Sequence, residues 1–269
     1  MSEKRETAYA KVNLALHVRE RMPDGYHRIE TMFAFCEDGD EVTGQRSESQ
    51  SLEISGPFAQ SLGTTDNLVN TAVQALKAKS RFRSAASLKL QKILPVASGL
   101  GGGSADAAAT LRLLNTIWGL NWAAEELEAV ARELGADVPA CVHSRPMRGD
   151  GKGDSLEPVE LGLSGTPVLL VNPRVELKTG DVFARWDGVD RGALGNWRTG
   201  RNDLETAATS LAPQIGGILA WLSAQRGAHY VRLSGSGATC FALFETEAQR
   251  DTSATAVPRE WWRLATRLR

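Results

Sequence analysis

The chain has 269 residues, 42% hydrophobic and 23% charged, with a formal net charge of −1 at pH 7. That length holds one large domain or two modest ones with ample core, and the composition is that of a soluble globular protein. The near-neutral balance gives no electrostatic case for nucleic acid or an anionic membrane, and no apolar run reaches transmembrane length. The opening MSEKRETAYAKV has no signal-peptide core and reads as a short solvated tail. Cys36, Cys141 and Cys240 are far apart and set in apolar surroundings, as expected of reduced core thiols in a cytoplasmic protein without a disulfide framework or zinc spacing. His17, His27, His143 and His229 form no ligand pair at helical spacing, so a metal caged by protein ligands is not expected.

In chain order, residues 8–18, AYAKVNLALHV, place Val12, Leu14, Leu16 and Val18 on one face and Lys11, Asn13 and His17 on the other. The alternation predicts a strand with one buried face and one face bearing functional groups. Pro23-Asp24-Gly25 marks a turn before a second strand around Ile29–Phe35. Residues 44–66 are polar and turn-rich, with a weak strand near Leu52–Ile54, and Asp66–Ala78 predicts a helix with Asp66 or Asn67 near its cap. A strand at Ala86–Leu90 precedes a glycine loop and a helix opening at Ser104; Ala123–Leu134 is a second strong helix, stopped by Gly135.

Beyond it lie a glycine-broken loop at Arg148–Gly153, a buried strand at Pro167–Val171 and a Gly-, Arg- and Trp-rich surface loop over 187–201. Leu204–Arg226 is helical, in two pieces because of Pro213 and Gly216-Gly217. Tyr230–Leu233, the loop SGSGAT at Ser234–Thr239, and Cys240–Phe244 form a strand–loop–strand unit. Paired strands and grouped helices favour α+β.

The most informative stretch is Leu94–Leu114, LPVASGLGGGSADAAATLRLL. Glycines placed directly before a helix let a ligand approach backbone N–H groups at the positive end of the helix dipole, which suits phosphate. No Gly-Lys-Ser/Thr occurs anywhere, which excludes a Walker loop, and Ser104 stands where Gly-x-G-x-x-G would need its last glycine. Taken alone, the segment reads equally well as a tight strand-to-helix turn with Ser104 as N-cap and Asp106 in the first turn.

Four elements recur together: Lys11 with Asn13, PDGYH at 23–27, the 98–106 loop, and SGSGAT. With AKVNLALHV, LPVASGLGGGSADAAATLRLLN, LGADVPACV and VRLSGSGATCFALF they stand in the order found in the GHMP kinases, which the chain resembles along nearly its full length. The resemblance implies an α+β fold of two domains, 1–160 and 161–269, the second ferredoxin-like, with the active site in the interdomain cleft. It implies ATP and Mg²⁺ as cofactors. PDGYH and the form of the GLGGGSADAA loop imply an acceptor that is a cytidine diphosphate-linked methylerythritol, phosphorylated at its tertiary C2 hydroxyl on the non-mevalonate route to isoprenoids.

The same resemblance implies the site residues. Asp137 is the base that takes the hydroxyl proton, with Lys11 beside it; an N-cap in the sequence Asp-Val-Pro is the plainer reading of Asp137, and both roles are compatible. Pro95, Val96, Ala97, Ser98, Gly99, Leu100, Gly101, Gly102, Gly103 and Ser104 wrap the ATP phosphates, Asp106 lies near the triphosphate and its Mg²⁺, and Asp66 and Asn67 border the adenosine. Asn13 contacts substrate or holds the lysine, Tyr26 stacks on cytosine, His27 hydrogen-bonds the base, and Phe183 is a second stacking aromatic or a core residue. Gly235, Ser236 and Gly237 close the back of the site.

The expected partners are ATP and the small-molecule acceptor alone, with no membrane and no nucleic acid, in a monomer or homodimer. A GHMP kinase for homoserine or mevalonate is opposed by PDGYH, because those substrates carry no cytosine. A non-catalytic nucleotide-binding regulator is opposed by the presence of Lys11, Asp137 and both glycine loops.

Overall fold

The computed structural model describes residues 3–62, 67–82 and 84–269. Two long strands open the chain, β1 (Lys4–Arg21) and β2 (His27–Ser47), and they pair with each other. Each strand runs through both of the two compact units into which the chain divides: one comprises residues up to Ala10, Asp38–Val96 and Gly101–Ser144, the other Lys11–Glu37, Ala97–Leu100 and Arg145–Arg269.

In the first unit, β3 (Ser51–Ser55) lies parallel to β4 (Ala85–Gln91), and β4 pairs antiparallel with Glu41–Ser47 of β2. Among the described residues, four α-helices belong to this unit: α1 (Leu68–Ser80), α2 (Gly102–Trp118), α3 (Ala124–Ala131) and α4 (Val138–His143). Helix α1 starts where Asn67 accepts a hydrogen bond from the Val69 N–H at 2.9 Å, the capping role foreseen for Asn67. Asp66, the other residue placed near that cap, lies outside the described residues. Nearly every residue of Ala105–Leu114 in α2 is buried, and the helix packs against α1 and α4. The alanines there let the helices approach closely.

The second unit carries a hairpin of β5 (Met147–Asp150) and β6 (Ser155–Pro158), with β5 paired to Thr31–Phe33 of β2. The stretch expected as a loop at 148–153 is therefore partly strand; its turn falls at Gly151 and Gly153, both with positive φ. Next come β7 (Pro167–Asn172), α5 (Thr179–Ala184), α6 (Glu205–Leu211), α7 (Gln214–Ser223), β8 (Ala228–Leu233), β9 (Cys240–Phe244), α8 (Glu247–Ala256) and β10 (Trp262–Arg267). The sheet order β10-β7-β9-β8 is antiparallel throughout. Numbered by occurrence it is 4-1-3-2 with a β-α-β-β-α-β succession, the ferredoxin-like arrangement.

The break between α6 and α7 falls at Ala212-Pro213, while Gly216-Gly217 sits inside α7. The 187–201 stretch is not wholly a surface loop. Leu194 and Trp197 are buried, and Trp197 packs edge-on against Tyr230 with ring centroids 5.2 Å apart.

Candidate active site

Lys11 stands on β1 in the second unit and is 3% exposed. Its Nζ donates to Asn13 Oδ1 at 3.0 Å and lies 4.9 Å from the Phe33 ring centroid. Asn13 Nδ2 donates to Thr31 Oγ1 at 2.8 Å, and Thr31 donates on to the Ala15 carbonyl at 2.7 Å. This chain of donors fixes the amide with its oxygen toward the lysine. The face bearing the functional groups is closed as well as the apolar one: Ala10–Val18 are all buried. The polar row tolerates burial because its members satisfy one another. His17 is likewise committed, with Nδ1 3.0 Å from the Gly192 carbonyl and Nε2 accepting the Arg201 N–H, and burial lowers its pKa.

Beside this row lies the apex of the glycine loop. The Leu100 carbonyl accepts from the Lys11 N–H at 2.9 Å and Ser98 O accepts from the Thr239 N–H at 3.0 Å. Ser234 Oγ accepts from the Asn13 N–H at 3.3 Å and donates to Gly99 O at 2.7 Å. A Cβ on Gly99 (φ +76°) would lie 2.2 Å from the Ser234 carbonyl, so only glycine fits where the two glycine loops meet. Gly235 and Gly237 have positive φ, and Ser236 Oγ is 3.0 Å from Thr179 Oγ1. The second unit thus gathers Lys11, Asn13, Ser98–Leu100 and Ser234–Gly237, as the sequence suggested.

PDGYH closes a turn in which the Met22 N–H donates to Tyr26 O at 2.7 Å and Gly25 has φ +87°. Here the two aromatics part. The His27 ring lies tilted against Phe183, with centroids 4.9 Å apart, and meets Trp186 edge-on at 5.6 Å. Burial, then the charge of Arg21, lowers its pKa, which keeps the imidazole neutral near pH 7. Tyr26 is 57% exposed and has Lys152 Nζ 4.0 Å from its ring centroid, with Lys152 paired to Asp24 at 2.7 Å. One face of Tyr26 is therefore taken by an ammonium.

In the first unit α2 begins two residues before the expected Ser104. Gly101 (φ +64°) is the N-cap, and the Ala105 N–H donates to Gly101 O at 2.8 Å. The helical hydrogen-bond ladder starts there, so the N–H groups of Gly102, Gly103 and Ser104 precede it at a solvent-reached helix end. Ser104 is not the cap, because glycine reaches the left-handed conformation that the cap adopts here. Asp106 is consequently not in the first turn and points inward, 2% exposed. Its Oδ2 accepts from Lys92 Nζ at 2.8 Å, Lys92 also pairs with Asp40, and Asp40 Oδ1 accepts the N–H groups of Ile93 (2.6 Å) and Leu94 (2.8 Å). Asp106 Oδ1 is buried with no hydrogen-bond partner among the described residues. Burial works against the Lys92 ammonium, but Asp106 and Asp40 outweigh it and raise its pKa.

Asp137 precedes α4, half-buried, and its carboxylate makes no cap hydrogen bond to that helix. The side-chain capping role expected of it is corrected: its own backbone is helical (φ −84°, ψ −17°), whereas a side-chain cap typically sits in the extended region. Asn67 uses its oxygen in the cap, and its Nδ2 is buried without a partner among the described residues.

Sequence reading missed Asp40, Lys92, Thr31 and Trp186. A signal existed for two of them. Lys92 continues the inward parity of Ala86, Leu88 and Leu90, and Asp40 shares that of Val42 and Gly44. A charge on the buried phase of a strand implies a buried partner.

The chain matches the profiles of the GHMP kinases N terminal domain over residues 67–145 and the GHMP kinases C terminal over 183–263. It is 52% identical to the 4-diphosphocytidyl-2-C-methyl-D-erythritol kinase of Rhizorhabdus wittichii, covering 98% of this chain and 94% of that protein. It is 51% identical to the kinase of the same name from Novosphingobium aromaticivorans, covering 98% and 93%. Among solved structures, one of 4-(cytidine 5'-diphospho)-2C-methyl-D-erythritol kinase superposes with a TM-score of 0.85 at 29% identity, covering 99% of both chains. A homoserine kinase from Cytophaga hutchinsonii shares the fold, with a TM-score of 0.74 at 18% identity. With full-length relatives above half identity and a profile match at each end, the chain belongs to the GHMP kinase family.

Proposed function

We infer that this chain transfers the γ-phosphoryl group of ATP to the C2 hydroxyl of 4-diphosphocytidyl-2-C-methyl-D-erythritol, in isoprenoid precursor synthesis. The observation that carries the acceptor is the neutral His27 held against Phe183 and Trp186 directly after PDGYH. A neutral imidazole donates and accepts, and aromatic faces stack a pyrimidine. Homoserine and mevalonate would leave this group unused. Full-length relatives above half identity carry the name of the same kinase.

On this reading the Gly102–Ser104 N–H groups take phosphate oxygens, and the Asn67 amide supplies a donor to the adenosine. Asp137 accepts the hydroxyl proton while Lys11 stabilises the alkoxide that forms. An Asp is a weak base, so its value lies in placement and field. Asn13 orients the lysine without cancelling its charge. Magnesium, when bound, neutralises the β- and γ-phosphate oxygens. Asp106 does not fit as its ligand, because the carboxylate is turned inward onto Lys92. The Ser104 hydroxyl fits, the rest of the shell being phosphate and water.

The test is ADP release from Mg-ATP with the cytidyl alcohol, homoserine and mevalonate in parallel. Turnover confined to the cytidyl alcohol supports the reading; turnover on either other alcohol replaces its substrate, and none on all three removes its chemistry.

A further inference from the structure

The three-residue charge cluster beneath the glycine loop has no part in the chemistry above, and its geometry is specific. Asp40 Oδ1 takes the backbone N–H groups of Ile93 and Leu94, where the chain leaves β4 and enters the loop. Its other oxygen holds Lys92, and Lys92 holds Asp106 on the second turn of α2, where the loop has ended. Lys92 Nζ also lies 3.0 Å from where a Cβ on Gly102 would stand, directly under the first residue of the helix. One carboxylate thus grips the entrance of the loop and, through one ammonium, its exit.

We propose that Asp40 and Lys92 are positioning residues that hold both ends of the phosphate loop in the register at which the Gly102–Ser104 N–H groups meet a triphosphate. The proposal rests on reading 95–104 as that loop. All three side chains are buried, at 0% (Asp40), 1% (Lys92) and 2% (Asp106). A buried ion cluster is a poor source of stability compared with apolar side chains of the same volume, because desolvation offsets the Coulomb gain. What it supplies is direction: each bond fixes an atom position, and N–H groups misplaced by an ångström lose their hold on phosphate. An apolar plug would support the loop and leave its ends free to shift against one another.

The test compares Asp40→Asn, which keeps the shape and the Ile93 and Leu94 contacts, with the apolar triple variant Asp40→Asn/Lys92→Met/Asp106→Leu. Equilibrium binding of ATP, ADP and adenosine is measured beside the KM for each substrate. Asp40→Asn should weaken ATP and ADP about tenfold, equivalent to about 1.4 kcal/mol, with adenosine affinity and the KM for the cytidyl alcohol unchanged. The triple variant should recover the parent Tm but not the ATP affinity. Parent-like ATP binding in the triple variant, or an equal loss for adenosine, would overturn the proposal and leave the cluster with packing alone. If Asp40→Asn does not fold, Lys92→Gln is read in the same titrations with the same two outcomes. A parent chain that binds adenosine as tightly as ATP would instead remove the phosphate-loop reading itself.

Discussion

Each of the two units buries a lysine, and the side chains that grip the two differ in kind. Lys92 donates to two carboxylates, and its charge is matched inside the unit. Lys11 donates to the oxygen of a neutral amide and sits over the Phe33 ring, both of which orient an ammonium without neutralising it. Burial alone therefore does not say what a lysine is for. A carboxylate cancels the field of an ammonium at short range, whereas an amide oxygen directs the ammonium without adding charge. On the proposed function, the lysine directed by an amide serves the developing alkoxide, and the one gripped by carboxylates holds backbone in place.

The largest expected effect bears on the Lys11 side of that contrast through its proposed partner in the chemistry. Asp137→Asn should lower kcat about 10³-fold while leaving both KM values within about twofold, as loss of a positioned base does. A near-parent kcat would remove Asp137 from proton transfer. Lys11→Met follows, with a kcat loss of about 10²-fold. Lys92→Met leaves two buried carboxylates without their cation and should cost about 3–5 kcal/mol, read as a loss of Tm. If Lys11→Met proves the more destabilising and retains kcat, the roles given to the two lysines are reversed.

How much of this could be read in the residues varies with the kind of interaction. The alternation over 8–18 places Lys11, Asn13 and His17 on one face, but alternation cannot tell a solvated polar face from a buried one whose groups find protein partners, as these do in one another, Thr31 and Gly192. The glycines mark the turn into α2, yet the sequence points to Ser104 as the cap because side-chain caps are what sequence shows; a left-handed Gly101 leaves no such mark. The split between α6 and α7 followed from Pro213. α8 and the β5–β6 hairpin lacked a clear period, and β10 appears only through long-range pairing, as in the Trp262–Asn172 to Arg267–Pro167 register. Phe183, open in the sequence to a core or a site reading, packs against the core and has the His27 ring 4.9 Å away.

A smaller effect tests the acceptor side away from the lysines. His27→Ala removes both the stacking partner of Phe183 and the neutral imidazole, and should raise the KM for the cytidyl alcohol about tenfold with the ATP KM unchanged, the worth of an aromatic contact plus its area. Tyr26→Ala should do less, since Lys152 already occupies one face of that ring. Equal losses would mean that Lys152 leaves the ring when substrate binds.

The smallest effect separates the matched cluster from the Lys11 row by pH. Burial pushes the Asp106 carboxyl up to about 7, with Lys92 opposing and Asp40 adding to the rise. A carboxyl raised on folding from its ordinary value of 3.8 binds more proton in the folded chain than in the unfolded one between that value and about 7. Its contribution to stability is therefore fullest below the window and falls as pH climbs through it. Asp106→Asn removes the titration while keeping an oxygen for Lys92, so the Tm of the variant minus that of the parent should increase from pH 5 to pH 8. A difference that stays level would mean that Asp106 is ionised throughout. The cluster would then be two carboxylates against one ammonium at every pH, and Lys92 would no longer be a matched charge but an outnumbered one, which is the arrangement that makes a buried lysine hardest to replace.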